Sequence, residues 1–309
     1  MSIYNYFRDL NHKRLQRRLI PQQEEVARFW EPVIRDYYDG KVEKYRIRPK
    51  KDLGTKKIIW QYWGQGFEPE QLPEIVRITL RSVDRYKGDA LVVRLSDETI
   101  SEYIDLPPFI VDQLEHNPHM ARTFFSDLLR LALLEAYGGA WLDATILLSG
   151  PIPERYFDYD FFALQLPDEH PNKDFWSTTL WAVFCWDPRF KVRFHSALMF
   201  AHSDSEIVST LLDLMLYYWK VKGDEPVAYY HFFHVLFHDL VQTGPLRSLN
   251  CPIESYSDFE SLMLIGRGRW RKDFETAHEL LSRYPFHKLT FKHKKETPKV
   301  IELLKKEDF

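Results

Sequence analysis

The 309 residues are 45% hydrophobic and 28% charged, enough for a full core and ordinary enough to argue against global disorder. Lys and Arg total 42 against 45 Asp and Glu, a formal net charge of −3, so no global field recruits a nucleic acid. Cys185 and Cys251 have no CxxC spacing, the first residues lack the basic-then-apolar order of a signal peptide, and no run approaches the ~20 apolar residues of a membrane span; a cytoplasmic protein is expected.

Residues 4–38 read as two helices, the second starting near Pro21. Between residues 4 and 20, apolar Tyr4, Phe7, Leu15, Leu19 and Ile20 mix with Arg8, Lys13, Arg14, Arg17 and Arg18. Such a helix packs on the main domain or rests peripherally on an anionic membrane. The polar stretch 46–55 reads as a linker, which sets an N-terminal extension, 1–55, apart from one main domain, 56–309.

The apolar run Ile58, Ile59, Trp60 suits a buried strand, and Gly64, Gln65, Gly66 permit a tight loop after it. Helical spacing of Leu72, Ile75, Val76, Leu80 and Val83 predicts a helix over 70–86, with Gly88 as its cap. A β-branched strand over 90–95 follows, and Ser96 then offers an N-cap for a short helix. The clearest helix covers 120–137 and ends at Gly138 and Gly139; a short strand, 140–142, runs from there into Asp143. Beyond residue 150, strands are predicted at 161–164 and 197–200 and helices at 204–221, 226–241 and 297–304. Alternation of this kind predicts an α/β fold, Rossmann-like, with a largely parallel sheet flanked by helices and ligands at the carboxyl ends of its strands.

Three charged residues stand out in this apolar setting. Asp127 and Arg130 lie at i and i+3 on one helix face, so they address one ligand edge or pair with each other. Asp143 ends an apolar strand, where a carboxylate is costly unless paired, hydrogen-bonded or metal-bound.

Together the run Phe125, Ser126, Asp127, Leu128, Leu129, Arg130 and the run Tyr137, Gly138, Gly139, Ala140, Trp141, Leu142, Asp143, Ala144, Thr145 resemble the capsular polysaccharide synthesis proteins. These are of the glycosyltransferase family 32 type, related to yeast mannosyltransferases and to the glucosylating domain of clostridial toxins. The block from Lys57 to Gly64, with Gln61 and Trp63, looks like the family's first strand, and Phe286 to Thr290 is similar to a C-terminal stretch. The resemblance covers 56–291. It implies a GT-A fold and a retaining transfer from a nucleoside-diphosphate sugar, a UDP-hexose, to a capsular or other surface polysaccharide, the acceptor being a saccharide or a lipid-linked saccharide.

The same resemblance implies roles for single residues. Asp143 takes the first position of an Asp-x-Asp motif and, with Arg130, carries the chemistry. Gln61, Trp63, Asp127, Arg130, Asp143, Thr145 and Lys288 hold the donor, Trp63 by stacking on the base and Lys288 by neutralising phosphate. Asp143 and His287 bind a divalent cation, Mn2+ or Mg2+. Thr145 departs from the second carboxylate of the motif, and a neutral hydroxyl holds a hard cation more weakly.

Two other readings stand beside this one. Thr145 motivates a non-catalytic sugar-nucleotide-binding subunit. His231, His234 and His238, on one face of a predicted helix, have a spacing that suits zinc and a metal-dependent phosphohydrolase, although Phe232, Phe233, Leu236 and Phe237 between them suit an aromatic core helix. His195 near an acceptor, a basic loop of Arg267, Arg269, Arg271 and Lys272 around Trp270, and an acceptor wall of Asp174, Asp187, Trp176, Trp181 and Trp186 complete the candidates.

Overall fold

A computed structural model of the chain describes residues 3–54, 57–271 and 274–309, with side chains from Arg14 onward. The expected boundary at 55–56, Lys272 in the basic loop, and the side chains of residues 4–13 lie outside the described residues.

The first half contains α1 (Ile3–Tyr38), β1 (Ile58–Tyr62), α2 (Glu74–Tyr86), β2 (Leu91–Leu95), α3 (Pro108–His116), α4 (Arg122–Tyr137), β3 (Gly139–Leu142) and β4 (Ile146–Leu148). The second contains α5 (Arg155–Asp158), β5 (Phe161–Gln165), α6 (Lys173–Thr179), β6 (Phe194–Ala201), α7 (Glu206–Lys222) and α8 (Phe232–Phe237). It closes with α9 (Ser257–Gly266), α10 (Ala277–Arg283), β7 (Phe286–Lys288) and α11 (Thr297–Lys306).

Five strands form the central sheet in the order β2-β1-β3-β6-β5. β1 is parallel to both β2 and β3, while β6 runs antiparallel to β3 and to β5, so four of the five strands share one direction. The expected α/β fold is met, with β6 as its one reversed strand. All five residues of β1 are buried, which is why it reads as an unbroken apolar run rather than an alternating one. α4 and α8 pack on the sheet, with α7 and α1 outside them. The short pair β4–β7 lies apart, held by α2, α9 and α11 around a second apolar cluster that includes Ile75, Leu147, Leu262, Leu289 and Val300.

The N-terminal segment differs from the expectation. Instead of two helices it forms one of 36 residues with Pro21 and Pro32 inside it. Proline removes a helix hydrogen bond, but tertiary contacts outweigh the loss. The Gln16 amide donates to the carbonyls of Trp181 and Phe184 (3.0 and 3.1 Å), the Lys191 N–H donates to Gln23 (2.7 Å), and Trp30 donates to Phe232 O (3.2 Å). Ile20, Val26, Trp30 and Val33 belong to the same core as the sheet, while Arg14, Arg17 and Arg18 stay exposed. No described helix is long and apolar enough to cross a membrane.

Two further differences have local causes. The stretch read as a linker is pinned down: Ile47 is buried, and the N–H groups of Lys50 and Lys51 each donate to the Tyr137 hydroxyl at 3.1 Å. The helix expected over 226–241 shrinks to α8 plus a π-helical turn, His238–Gln242, because Tyr229 and the residues before it form an irregular approach. Short elements α3, α6, α9, α10, β4 and β7 carry too few residues for their periodicity to have stood out.

Candidate active site

Chain segments leaving the carboxyl ends of β1 and β3 converge with the start of α4 and the segment following β7. Between them lies a cleft of about 410 Å³. Its position matches the rule that α/β sheets bind ligands beyond their strand ends. Two glycines permit the close approach. Gly139 has φ 98° and a Cβ there would stand 2.5 Å from Ile58 O, so only glycine lets β3 lie against β1 at this point. A Cβ on Gly64 would meet Arg122 Nε at 2.5 Å, in a corner where Arg122 is fixed by Asp97 through contacts of 2.9 and 2.6 Å.

The turn after β3 sorts its side chains by alternation. Asp143 N–H donates to Ala197 O (2.9 Å) and Ile146 N–H to Asp143 O (2.9 Å), which aims Asp143 and Thr145 into the cleft. The Ala144 carbonyl, in contrast, accepts from Thr79 (2.6 Å) on α2. β7 pairs antiparallel with β4, placing Lys288 opposite Ile146, and Leu289 N–H donates to Thr145 O at 3.0 Å. That register brings Lys288 Nζ to 2.6 Å from Asp143 Oδ2 and 3.0 Å from Thr145 Oγ1.

Beneath this pair sits Arg130, only 3% exposed. Its guanidinium is paired with Asp127, reaches Ser126 Oγ (3.3 Å) and Asp143 Oδ1 (3.4 Å), and lies 5.2 Å from the Trp141 ring centroid. Trp141 Nε1 also donates to Asp143 Oδ1 at 2.8 Å. Burial alone would raise the Asp143 carboxyl, but Lys288 and Arg130 outweigh it and hold the group down at about 2. Burial lowers Arg130, yet a guanidinium with two carboxylate partners stays charged. Asp127 does not line the cleft; it anchors Arg130 from behind and accepts from Ser196 (3.3 Å).

Of the other expected donor residues, Trp63 lines the cleft with its ring edge-on to Phe291, centroids 5.2 Å apart. Gln61 does not reach it: the side chain is fully buried and accepts from Arg94 Nε at 3.1 Å. The expected metal ligand His287 needs the larger correction. Successive strand residues face opposite sides, so when Lys288 enters the cleft His287 turns inward, where its Nε2 lies 3.0 Å from Ser149 Oγ. Burial lowers its imidazole to about 3.

Residues missed from sequence are Arg122, Ser126, Tyr230, Phe291 and Lys292, all lining the cleft. Tyr230 is 56% and Phe291 39% exposed, large apolar rings left open at the mouth. Among the described residues the lining holds three cations, Arg122, Lys288 and Lys292, and one carboxylate, Asp143, with Asp97 pairing Arg122 from outside the cleft. Such an excess suits an anionic ligand.

Other candidates fall elsewhere. His231 and His234 are half-buried beside each other, ring centroids 4.9 Å apart, while His238 contacts Asp239 at 2.9 Å, so the three are not gathered. His195 meets Glu260 at 3.0 Å and packs on Phe259. Trp270 packs against Phe175 and Phe274, Trp176 is buried on Phe184, and Asp187 pairs with Arg189, so neither the basic loop nor the proposed acceptor wall presents these groups to the cleft.

A larger cavity, about 810 Å³, opens at the far end of α4, between the end of α1, residues 44–49 and α7. It carries Glu135 and Asp213. Burial, with Asp213 nearby, pushes the Glu135 carboxyl up to about 7. It lies away from the carboxyl ends of the parallel strands, and its size alone does not make it the site.

For a divalent cation, the described residues of the cleft offer one carboxylate whose oxygens already accept from Trp141, Arg130 and Lys288, only neutral hydroxyls such as that of Thr145 beside it, and no imidazole. Mg2+ in phosphate-bearing sites can be held by one or two carboxylates together with waters and the ligand's phosphates, but it needs a free carboxylate oxygen, and both oxygens of Asp143 are already taken. These residues do not fit a resident metal ion. Among the described residues, the group with metal-ligating spacing is Asp160, His202 and Asp204, exposed beyond the other end of β6.

A family model described as "Capsular polysaccharide synthesis protein" matches residues 10–306. The match exceeds the expected span of 56–291 and takes in most of α1. Among solved structures, one titled "PaToxG Glycosyltransferase" is similar at 12% identity and a TM-score of 0.36, over 77% of this chain and 80% of that chain. No curated protein matches.

Proposed function

The chain belongs to the family of capsular polysaccharide synthesis proteins, and from that premise we propose that this glycosyltransferase moves a hexose from UDP-hexose to a surface polysaccharide acceptor with retention of configuration. The observation that carries the reading is the cleft itself: three cations and one carboxylate beside Trp63, Tyr230 and Phe291. Cations suit a diphosphate, and flat rings suit a base and a sugar.

In this reading the diphosphate lies along the Arg122, Lys288 and Lys292 side, with the base on Trp63. Asp143, held ionised, faces the sugar, and Arg130 keeps that carboxylate oriented. As the bond from the anomeric carbon to the diphosphate breaks, the cationic lining stabilises the charge developing on the leaving oxygen. The acceptor hydroxyl attacks from the face the diphosphate leaves and passes its proton to the departing phosphate oxygen, so no protein nucleophile takes part. Mn2+ or Mg2+ was the expectation from the motif; the donor set does not fit it, and no step here runs through a metal.

The test is a thermal-shift and turnover screen against a panel of sugar nucleotides, since a ligand at 100 times its Kd stabilises the native state by about 2.7 kcal/mol. One donor should raise Tm and be turned over, with turnover lost in Asp143→Ala. Stabilisation without turnover by any donor, with acceptor present, points to the binding-subunit reading. Full activity of Asp143→Ala sinks the assignment.

A further inference from the structure

Resting on that reading, we propose that the Lys288 ammonium is the cation that neutralises the donor's diphosphate, standing where an Asp-x-Asp turn would ligate a divalent ion, and that Asp143 and Thr145 position this lysine. Transfer then needs no bound metal.

Geometry carries the proposal. Lys288 Nζ lies 2.6 Å from Asp143 Oδ2 and 3.0 Å from Thr145 Oγ1, so it engages the first and third side chains of the motif turn at once. An ammonium has three donors. Asp143 and Thr145 take two, and the third remains for a phosphate oxygen in the cleft that Lys288 lines. A long, flexible lysine is ordinarily a poor substitute for a fixed ion, but this one is held at its base. β7 is locked to β4 with Lys288 opposite Ile146, and the next residue donates its N–H to Thr145 O at 3.0 Å. The same backbone therefore sets both the turn and the lysine.

Thr145 also makes sense on these terms. Asp143 already balances the ammonium; a second carboxylate in place of Thr145 would leave the group at net −1, repelling a phosphate. A hydroxyl instead accepts one hydrogen bond and leaves the cleft with net positive lining from Lys288 and Lys292 against Asp143, the charge of Arg122 being offset by Asp97. A divalent ion entering between Asp143 and Thr145 would have to displace the ammonium or sit against it, and His287, which the motif would enlist as a further ligand, is turned to Ser149.

The experiment uses the full chain and measures binding of inorganic pyrophosphate and of UDP by calorimetry and thermal shift, in EDTA and in Mn2+. A Mn2+ titration followed by electron paramagnetic resonance, without nucleotide, runs alongside. Pyrophosphate and UDP should bind equally well in EDTA, and Lys288→Ala should weaken both at least 10-fold, Lys288→Arg recovering part of the loss. Wild type should show no saturable Mn2+ site in the micromolar range. Lys288→Ala/Thr145→Asp, which rebuilds two carboxylates and removes the ammonium, should gain one. Circular dichroism and Lys288→Gln guard against a variant that merely fails to fold. Diphosphate binding that requires Mn2+, or a micromolar Mn2+ site in wild type that Asp143→Asn abolishes, overturns the proposal. If pyrophosphate binds through Lys288 in EDTA while no sugar nucleotide binds, the lysine site stands and the donor reading falls.

Discussion

The two ends of α4 bury carboxylates in opposite ways. Near its start, Asp127 is paired with Arg130, and Arg130 and Lys288 together hold Asp143 ionised. Near its end, roughly 12 Å along the axis from Asp127, Glu135 and Asp213 share a cavity; among the described residues no buried guanidinium lies between them, and Asp213 accepts from the Tyr45 N–H (2.6 Å) and the Tyr37 hydroxyl (3.0 Å). Burial raises both of these carboxyls. One helix thus carries a permanently charged end and an end whose charge depends on pH. What separates them is the nearest cation, since burial acts in the same direction on all of these groups.

Removing Arg130 strikes hardest at that contrast. Arg130→Met leaves Asp127 buried without its partner and should cost about 3–5 kcal/mol in urea unfolding; a loss below about 1 kcal/mol would mean that the charged end is not held by this pair.

Asp143 probes the same end through acid. Its folded value, about 2, is depressed from 3.8, so its stabilising contribution is present above the unfolded value and disappears as pH falls toward 2. Asp143→Asn should be less stable than wild type at pH 6 by about 2 kcal/mol, and the gap should close by pH 2. A gap that persists unchanged at pH 2 would assign the loss to packing instead.

The smallest effect belongs to the other end. Glu135 is raised from 4.5 to about 7, so its contribution is fully present below the unfolded value and is lost as pH rises through 7. Glu135→Gln should therefore match wild type at pH 4.5 and exceed it at pH 8 by about 1 kcal/mol, discounted for partial exposure. Chemical denaturation at the two pH values checks this. Equal stabilities at pH 8 would show that Arg46, which opposes the shift, dominates.

How much of this was legible in the sequence depended on the range of the contacts involved. α4, Gly139 and Asp143 were readable because helix period, glycine break and isolated carboxylate are local signals. The fold class followed from the same alternation. Lys288 and His287 were not separable, since β7 has three residues and which of two neighbours faces the cleft depends on pairing with β4, about 140 positions earlier. Gln61 failed for the same reason, its facing direction being set by Arg94 on β2. Arg122 and Asp97 meet only because Gly64 leaves room, a fact of packing that neither residue announces. Pro21 misled in the other direction: its local cost argued for a break, and downstream partners overrode it.

Those partners have a consequence for how the polypeptide is made. Gln16 and Gln23 find them 161 to 206 residues later in the chain. At ribosomal elongation rates, that is a wait of roughly 10–40 s. During it, the Ile20, Val26, Trp30 and Val33 face has nothing to dock on and is a natural client for a chaperone during synthesis.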